Sequence, residues 1–283
     1  MLTRVVPDTV VDELIAAQSD SGAFPSTMVG DGIARHDENG FVTAQVLRTL
    51  GPATASPALT GIVARALDFL ETCEEPGRPG AYRFWTAATR PRHVSVYPAD
   101  ADDTAVISME LARHGRRDLT ALRRTALTVL FAHRVGGHHE LPASWVLPGT
   151  FWTWLSDDFG YNVVDCTVNA NVVALFAVAG LTELPSYTAA CTMINRAVAA
   201  ADGDPHRARL LSPYYPHPDE LWRAVRAAVV AGADQLRPCL PALAAFARPP
   251  DMDEPVFCSA YGKVTWHSPL LQRLRVRTRD MLE

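Results

Sequence analysis

Apolar residues recur every three to four positions along most of the chain, which is the spacing of amphipathic and buried helices. Alternating apolar and polar runs of the strand type are few and short. The pattern therefore predicts an all-α protein. The predicted helices cover residues 9–18, 43–50, 59–71, 103–114, 119–133, 169–179, 187–200, 219–231, 236–248 and 270–282.

The predicted helices fall into two classes that alternate along the chain. One class is amphipathic and carries arginines and acids, as in TGIVARALDFLETCEE at 60–75. The other is apolar on nearly every side, as in NANVVALFAVAG at 169–180, and such a helix must be surrounded by protein. This alternation predicts a barrel of helical hairpins in which inner helices are covered by outer ones.

An internal repeat supports that arrangement. DADDTAVISMELARHG at 100–115 aligns without gaps on DCTVNANVVALFAVAG at 165–180, so that Asp100 falls on Asp165 and Gly115 on Gly180. DENGFVTAQVLRTLG at 37–51 gives a slightly shorter copy, and the segment 216–232 resembles a fourth. Each copy starts with polar capping residues and stops at a glycine, so Asp37 and Asp165 are predicted mainly as helix N-caps.

Two further segments bear on the organisation of the chain. Gln18, Gly22 and Phe24 form a helix-then-glycine-aromatic turn of the kind that would tie an outer helix to the next inner one. The Pro-rich segment 247–269 predicts a long surface loop, or a flap over the barrel. No linker divides the chain, so residues 1–283 are predicted to form one α/α-barrel domain.

The composition of the chain limits the kinds of molecule that the protein is expected to bind. A hydrophobic content of 48%, a formal net charge of -5 and the lack of basic blocks predict a globular protein that does not bind nucleic acid. The N-terminus lacks the apolar region of a signal peptide and the longest apolar run is too short to span a bilayer, so we expect a cytoplasmic chain with no transmembrane segment. The five separated cysteines predict buried free thiols.

The sequence Asp100-Ala101-Asp102-Asp103-Thr104-Ala105 at the start of a predicted inner helix, with the repeat and the glutamine-glycine-aromatic turn, resembles the class II terpene cyclases, squalene-hopene cyclase in particular. The resemblance implies an α/α toroid, here in a single-barrel form. It implies that Asp102 is the general acid that protonates an alkene or epoxide, and that Asp100 and Asp103 hold and polarise it. It also implies a histidine beside the acid, although no local motif identifies which one.

The chemistry can be argued without the family. An alkene is a very poor base, so its proton donor must be a neutral carboxylic acid shielded from water. Three neighbouring carboxyls raise one another's pKa and favour a protonated form, while the helix N-terminus stabilises the conjugate base. Aromatic faces can stabilise the resulting carbocation without attacking it. The candidate substrate-binding residues are Trp85, Tyr97, Trp145, Trp152, Trp154, Tyr161, Asp165 and Asn169.

Three hypotheses follow from these residues. The first is a terpene cyclase-like enzyme acting on an isoprenoid or isoprenoid-bearing small molecule. The second is an enzyme of the same fold, active in small-molecule natural-product metabolism, that uses the aspartates to bind a metal or a polar ligand. The third is a non-catalytic toroid that serves as a binding module.

The chain also departs from the resembled family. It has room for one barrel where squalene-hopene cyclases have two, which leaves open a homo-oligomer or a partner subunit that closes the site. No cofactor is required by the proton-initiated reaction. Asp157-Asp158 does not complete the magnesium-diphosphate motif of class I cyclases, so Mg²⁺ is expected only if the substrate carries an intact diphosphate.

Overall fold

The computed structural model describes residues 4–51, 53–54, 56–92, 94, 97–137, 143–156, 162–249 and 251–279. The protein is helix-rich, as predicted. Its α-helices are α1 Asp8–Ala17, α2 Gly40–Leu50, α3 Pro57–Thr72, α4 Ala101–Arg113, α5 Leu119–Arg124, α6 Cys166–Val178, α7 Pro185–Ala201, α8 Pro205–Arg209, α9 Asp219–Val230, α10 Leu240–Ala244 and α11 Pro269–Arg279. A π-helical turn, Thr125–Leu130, and a 3-10 turn, Phe131–His133, continue α5, and a further 3-10 helix, Asp234–Cys239, precedes α10.

Five of these helices pack side by side in the order α11, α2, α4, α6, α9. The first and last members of the series are joined by a buried ion pair, in which Arg275 of α11 donates to both carboxylate oxygens of Glu220 of α9 at 2.6 and 3.0 Å. Helix α6 is buried from Cys166 to Phe176, which agrees with its apolar sequence. Helix α3 packs against α2, and α7 packs against α6.

Side-chain caps fix the start of three helices of this series. Asp100 accepts a hydrogen bond from the backbone N–H of Asp103 at 2.8 Å, and Asp165 accepts one from Thr167 N–H at 2.7 Å. Both capping predictions are confirmed. The prediction for Asp37 is wrong, because Asn39 caps α2 by accepting from Val42 N–H at 2.8 Å.

A small antiparallel sheet, which the all-α prediction lacked, lies beside these helices. It contains β2 Ser26–Gly30, β3 Ile33–Asp37, β5 Phe257–Cys258 and β6 Val264–His267 in the order β3-β2-β6-β5. Thr27 pairs with His267, so the sheet joins the two ends of the chain. Two short parallel strands, β1 Arg4–Val5 and β4 Ala53–Thr54, form a separate pair.

The Pro-rich segment predicted as a loop or flap therefore contains strands. Between β5 and β6 the chain makes a 3-10 turn, Ala260–Gly262. The rings of Phe257 and Trp266 stack at 5.0 Å between centroids with an angle of 15° between their planes. Pairing of β6 with β2 holds these two rings over the starts of α2 and α4, where the candidate site lies.

The turn at Gln18, Gly22 and Phe24 links three helices. The Gln18 amide donates to the carbonyls of Gly22 and Ile62, both at 2.9 Å, which ties the end of α1 to α3. Phe24 N–H donates to Thr43 Oγ1 of α2 at 3.1 Å. Gly22 has a φ of +93°, and a Cβ there would lie 2.3 Å from the carbonyl oxygen of Arg65.

Gly22→Ala is expected to destabilise the protein by about 3 kcal/mol, because it combines a left-handed backbone with a clash against the Arg65 carbonyl. Gly77→Ala is the matched control, since Gly77 has a φ of +79° and open space around the position of a Cβ. That variant should cost only about 1 kcal/mol. Urea unfolding of both variants measures the difference, and equal losses would contradict the packing role of Gly22.

All five cysteines are buried and free, which confirms that prediction. Within the ranges that the structure describes, no helix combines the length and the apolar character needed to cross a lipid bilayer.

Candidate active site

A cavity of about 60 Å³ opens at the N-terminal ends of α2, α4 and α6. All three aspartates of the DADD sequence reach it. We call it the aspartate cavity, and its wall consists of Phe41, Phe84, Tyr97, Asp100, Asp102, Asp103, Thr153, Trp154, Val168, Tyr214, Tyr215, Phe257, Cys258, Ser259 and Trp266.

Asp102 is held by two hydrogen-bond donors from other parts of the chain. Asn171 of α6 donates its side-chain N–H to Asp102 Oδ1 at 2.7 Å. The hydroxyl of Tyr215, which precedes α9, makes a short hydrogen bond to Oδ2. Both oxygens of Asp102 are therefore oriented, and its conjugate base would be stabilised as soon as the proton left.

Asp100 and Asp103 form a second, coupled pair of carboxyls. Asp100 caps α4, and Asp103 lies one turn further on with a hydrogen bond to the Asp100 carboxyl. Asp103 Oδ1 is buried and has no hydrogen-bond partner among the described residues. Two buried carboxyls in contact favour a state in which they share one proton.

Burial dominates the electrostatics of the site. None of the described residues that line the aspartate cavity is basic. Burial raises the pKa of Asp102 to about 7, the charge of Asp100 adds to the rise, and the Tyr215 and Asn171 hydrogen bonds oppose it. Burial, together with the Asp100 carboxyl, raises the pKa of Asp103 well above its ordinary value. Neutral carboxylic acid is therefore present in this cavity near neutral pH.

Aromatic rings cover the cavity around these acids. Tyr97 and Trp154 meet edge to face at 4.8 Å between centroids, and Trp154 also donates its indole N–H to Tyr214 Oη at 2.7 Å. Phe84 packs against Trp266 at 5.4 Å. The ring faces offer quadrupolar stabilisation to a cation and contain no strong nucleophile.

The predicted substrate-binding aromatics divide between the cavity and its surroundings. Tyr97 and Trp154 line the cavity. Trp85 lies one layer behind it, where it packs on Phe84 at 4.6 Å and donates its indole N–H to Asp37 at 2.7 Å. Trp145 and Trp152 pack instead against the hydrophobic cluster around α6 and α7. Tyr161 and the Asp157-Asp158 pair lie outside the described residues.

Two predicted polar contacts, Asp165 and Asn169, support the wall of the cavity and do not line it. Asp165 caps α6 and accepts from Tyr214 N–H at 3.2 Å, which positions that tyrosine. Asn169 exchanges two hydrogen bonds with the backbone of Phe151, each at 3.0 Å. Both residues organise the loops that carry Trp154 and Tyr214.

The partners of Asp102 differ from the histidine that the resemblance implies. Among the described histidines, His217 pairs with Glu254 at 3.4 Å and His133 contacts Arg78 at 2.5 Å. His93, His138 and His139 lie outside the described residues. Asn171 was detectable as an amide on an otherwise apolar helix, whereas Tyr215 carries no sequence signal.

The donor set around the aspartates does not resemble a metal centre. Over the ranges that the structure describes, no three His, Cys, Asp or Glu side chains are grouped as metal ligands would be. A role for Mg²⁺ with an intact diphosphate therefore stays a prediction about the substrate.

Comparisons with known proteins give little information about this site. No family model and no curated protein matches the chain. A crystal structure of a protein from Actinoplanes is similar to it, with 14% identity, a TM-score of 0.44 and coverage of 95% of this chain and 98% of that one.

Proposed function

We propose that this protein is a class II terpene cyclase-like enzyme, an isomerase or lyase that protonates an alkene or epoxide of an isoprenoid-type small molecule. The observation that supports the proposal most is the setting of Asp102. Its carboxyl has a pKa raised to about 7, is held by two donors and lies in an aromatic cavity whose described lining residues include no basic group.

The first step follows from this geometry. Asp102 delivers its proton to one carbon of the double bond, the π electrons form the new C–H bond, and the other carbon becomes a cation. Tyr215 and Asn171 hold the resulting carboxylate by the same two hydrogen bonds. The rings of Tyr97, Trp154 and Trp266 stabilise the cation until a second double bond attacks it or a proton is lost.

Neighbouring acids adjust the strength of the donor. The Asp100–Asp103 pair places a negative charge beside Asp102, which favours its protonated form before the reaction. The position of Asp102 in the first turn of α4 favours the conjugate base afterwards. Together these effects give an acid that is loaded near neutral pH and stabilised after donation.

For the fold we propose a single α/α toroid. The series α11, α2, α4, α6, α9, closed by the Glu220–Arg275 pair, is its inner ring, and α3 and α7 belong to the outer ring. The small sheet is an addition that covers the start of this ring. Because the chain forms one ring, a homo-oligomer or a partner subunit would be a second means of covering the site.

The size of the aspartate cavity sets a condition on substrate binding. Benzene occupies a cavity of about 150 Å³ in a protein interior, so about 60 Å³ is too small for an isoprenoid. The walls must separate to admit one.

Two observations favour this proposal over the two other hypotheses. An aromatic lining favours a cation over a metal or a polar ligand. A cavity that reaches Asp102 favours a ligand site over a ring that only packs side chains.

Incubation in D₂O with linear polyprenyl hydrocarbons, their epoxides and prenyl diphosphates is the direct test. A substrate that is protonated on carbon should give a product with one non-exchangeable deuterium, visible by mass spectrometry. The same panel with heat-denatured protein gives the background. For the alkene substrates, a product without deuterium would contradict the proposal, as would the absence of any product across the panel. An epoxide is protonated on oxygen, so its cyclised product carries no carbon-bound label and is scored by its formation alone.

A further inference from the structure

A second and larger cavity, of about 810 Å³, opens towards the C-terminal ends of α2 and α4 and extends inward to Thr167, Asn171 and Tyr215, so that Tyr215 lines both cavities. Asp102 near the start of α4 lines the aspartate cavity, whereas Arg113 at the end of that helix lines the second one. Six arginines contribute to its wall, and we call it the arginine cavity. They are Arg48, Arg113, Arg117, Arg223, Arg226 and Arg275.

The positive charge of the arginine cavity is only partly balanced by protein carboxylates. Glu220 is the one acid among its described lining residues, and it is occupied by Arg275. No carboxylate of the described residues lies within 4.0 Å of Arg48 or Arg226. The Nε of Arg223 lies 3.9 Å from a carboxylate oxygen of Glu220 and has no hydrogen-bond partner in the part of the chain that the structure describes.

Acids behind the wall pair with three further arginines of the cavity. Arg113 pairs with Glu110 at 2.9 Å, Arg117 with Glu71 at 2.7 Å, and Arg223 lies 3.6 Å from Asp219. Arg48 and Arg226 are therefore the two arginines of the cavity without a carboxylate partner among the described residues. Guanidinium groups that face a cavity without full compensation favour an anionic ligand.

Apolar side chains form the remainder of the wall and its rim. Leu119, Val178 and Val230 line the cavity and are 47%, 45% and 78% exposed, respectively, which is unusual for large aliphatic residues. Ala174 and Ala227 contribute further apolar surface inside. The volume lies within the range of sites that bind small organic molecules.

We propose that the arginine cavity binds the phosphate or diphosphate group of a small organic molecule whose apolar part contacts the aliphatic wall. Guanidinium groups suit this chemistry, because their planar N–H donors match phosphate oxygens two at a time. Arg226 and Arg48, which have no carboxylate partner among the described residues, are the expected principal contacts. Arg48 is oriented by a hydrogen bond that it donates to Asn171 Oδ1 at 2.9 Å, and Arg226 is positioned over the Trp222 ring, 5.3 Å from its centroid.

A purely structural role explains only part of this set. Arg48 and Arg113 lie in the last turns of α2 and α4, where a cation offsets the helix dipole. Arg223 and Arg226 lie in the middle of α9 and cannot act in that way. They face the same cavity as the first two arginines.

Isothermal titration calorimetry with inorganic pyrophosphate, at low ionic strength and with EDTA present, tests the proposal. We expect wild-type protein to bind, and Arg226→Gln and Arg48→Gln each to weaken binding roughly tenfold. Arg237→Gln is the matched control, because Arg237 is exposed, lies outside the cavity lining and pairs with nearby Asp234. If Arg48→Gln does not fold, Arg226→Gln, which breaks no ion pair within the described residues, decides the result.

The binding measurement is independent of catalysis. The titration contains no cyclisation substrate, so failure of the cyclase proposal would leave this result unchanged. The inference is overturned if wild-type protein does not bind pyrophosphate, or if Arg237→Gln weakens binding as much as Arg226→Gln. A parallel measurement uses vesicles of phosphatidylcholine with phosphatidic acid, and binding to these vesicles without binding to pyrophosphate would also overturn it.

Discussion

Asp102→Asn is expected to lower turnover of a substrate found in the D₂O assay by at least about 10³-fold. The variant removes the acidic proton of the carboxyl group that Asn171 and Tyr215 hold in place. Asparagine has nearly the same shape, and its side chain can keep contacts with Asn171 and Tyr215. The loss should fall on kcat, with KM changed little. Steady-state kinetics at several pH values measures both quantities.

The same substitution has a predictable effect on stability that separates chemistry from folding. The pKa of Asp102 is raised from its ordinary 3.8 to about 7 in the folded protein. Folding therefore favours the protonated carboxyl, and this contribution is complete below about pH 4 and is lost as pH rises through about 7. The asparagine side chain cannot ionise, so the Asp102→Asn variant should unfold at a higher temperature than the wild type at about pH 8, with the difference decreasing towards about pH 5.

Asp165→Asn is the matched control for Asp102→Asn. Asp165 is buried, caps α6 as Asp100 caps α4, and has a pKa that burial raises to about 6, but it does not line the cavity. Asparagine is a good N-cap but has a single acceptor oxygen, so this variant should fold with the cap kept and the Tyr214 N–H bond lost, and should lose far less activity than Asp102→Asn. Equal loss of turnover in both variants would assign the aspartates a structural role and contradict the proposed acid.

The sequence predicted best those features that depend on residues close together in the chain, such as helix caps and buried helices. The repeat predicted polar capping residues at each helix start, and Asp100 and Asp165 are caps, while Asp102 and Asp103 lie on the cavity beside Asp100. The apolar run at 169–180 predicted a helix surrounded by protein, and the two asparagines of that helix make polar contacts. Asn169 and Asn171 both make such contacts, one to the Phe151 backbone and one to Asp102.

The sheet could not be predicted because its strands carry almost no periodic signal. β5 has two residues and β6 has four, and four of the five residues of β3 are exposed. Their order depends on the pairing of β2 with β6 from the far end of the chain, which no local pattern encodes. For the same reason Phe257 and Trp266 were absent from the predicted wall.

Ring density in the sequence was a poor guide to the cavity. The segment 144–162 contains many aromatic residues, yet only Trp154 among its described rings lines the aspartate cavity. The ring of Phe151 instead packs on the ring of Phe176, with 5.3 Å between centroids, in the hydrophobic cluster around α6 and α7. The aromatic wall is assembled from short pieces of separate segments, so proximity along the chain does not measure proximity to Asp102.

Tyr215→Phe is expected to reduce kcat by roughly 10- to 100-fold, because it removes a charge-assisted hydrogen bond to the conjugate base of Asp102. Burial and the nearby Asp102 raise the pKa of Tyr215 well above its ordinary value, so the phenol stays neutral and remains a donor throughout the working pH range. The ring itself is retained, and with it the packing against Phe41 at 6.2 Å.

The pH dependence distinguishes this positioning role from a general loss of structure. In the wild type, turnover should fall as pH rises above about 7, where Asp102 loses its proton. Without the Tyr215 hydroxyl the pKa of Asp102 rises, so the falling limb moves to higher pH although the maximum rate is lower. Tyr187→Phe alters a buried tyrosine of α7 that does not line the cavity. This variant should change neither the pH of the falling limb nor the maximum rate. A Tyr215→Phe profile with a lower rate and an unshifted limb would mean that the hydroxyl does not act through Asp102.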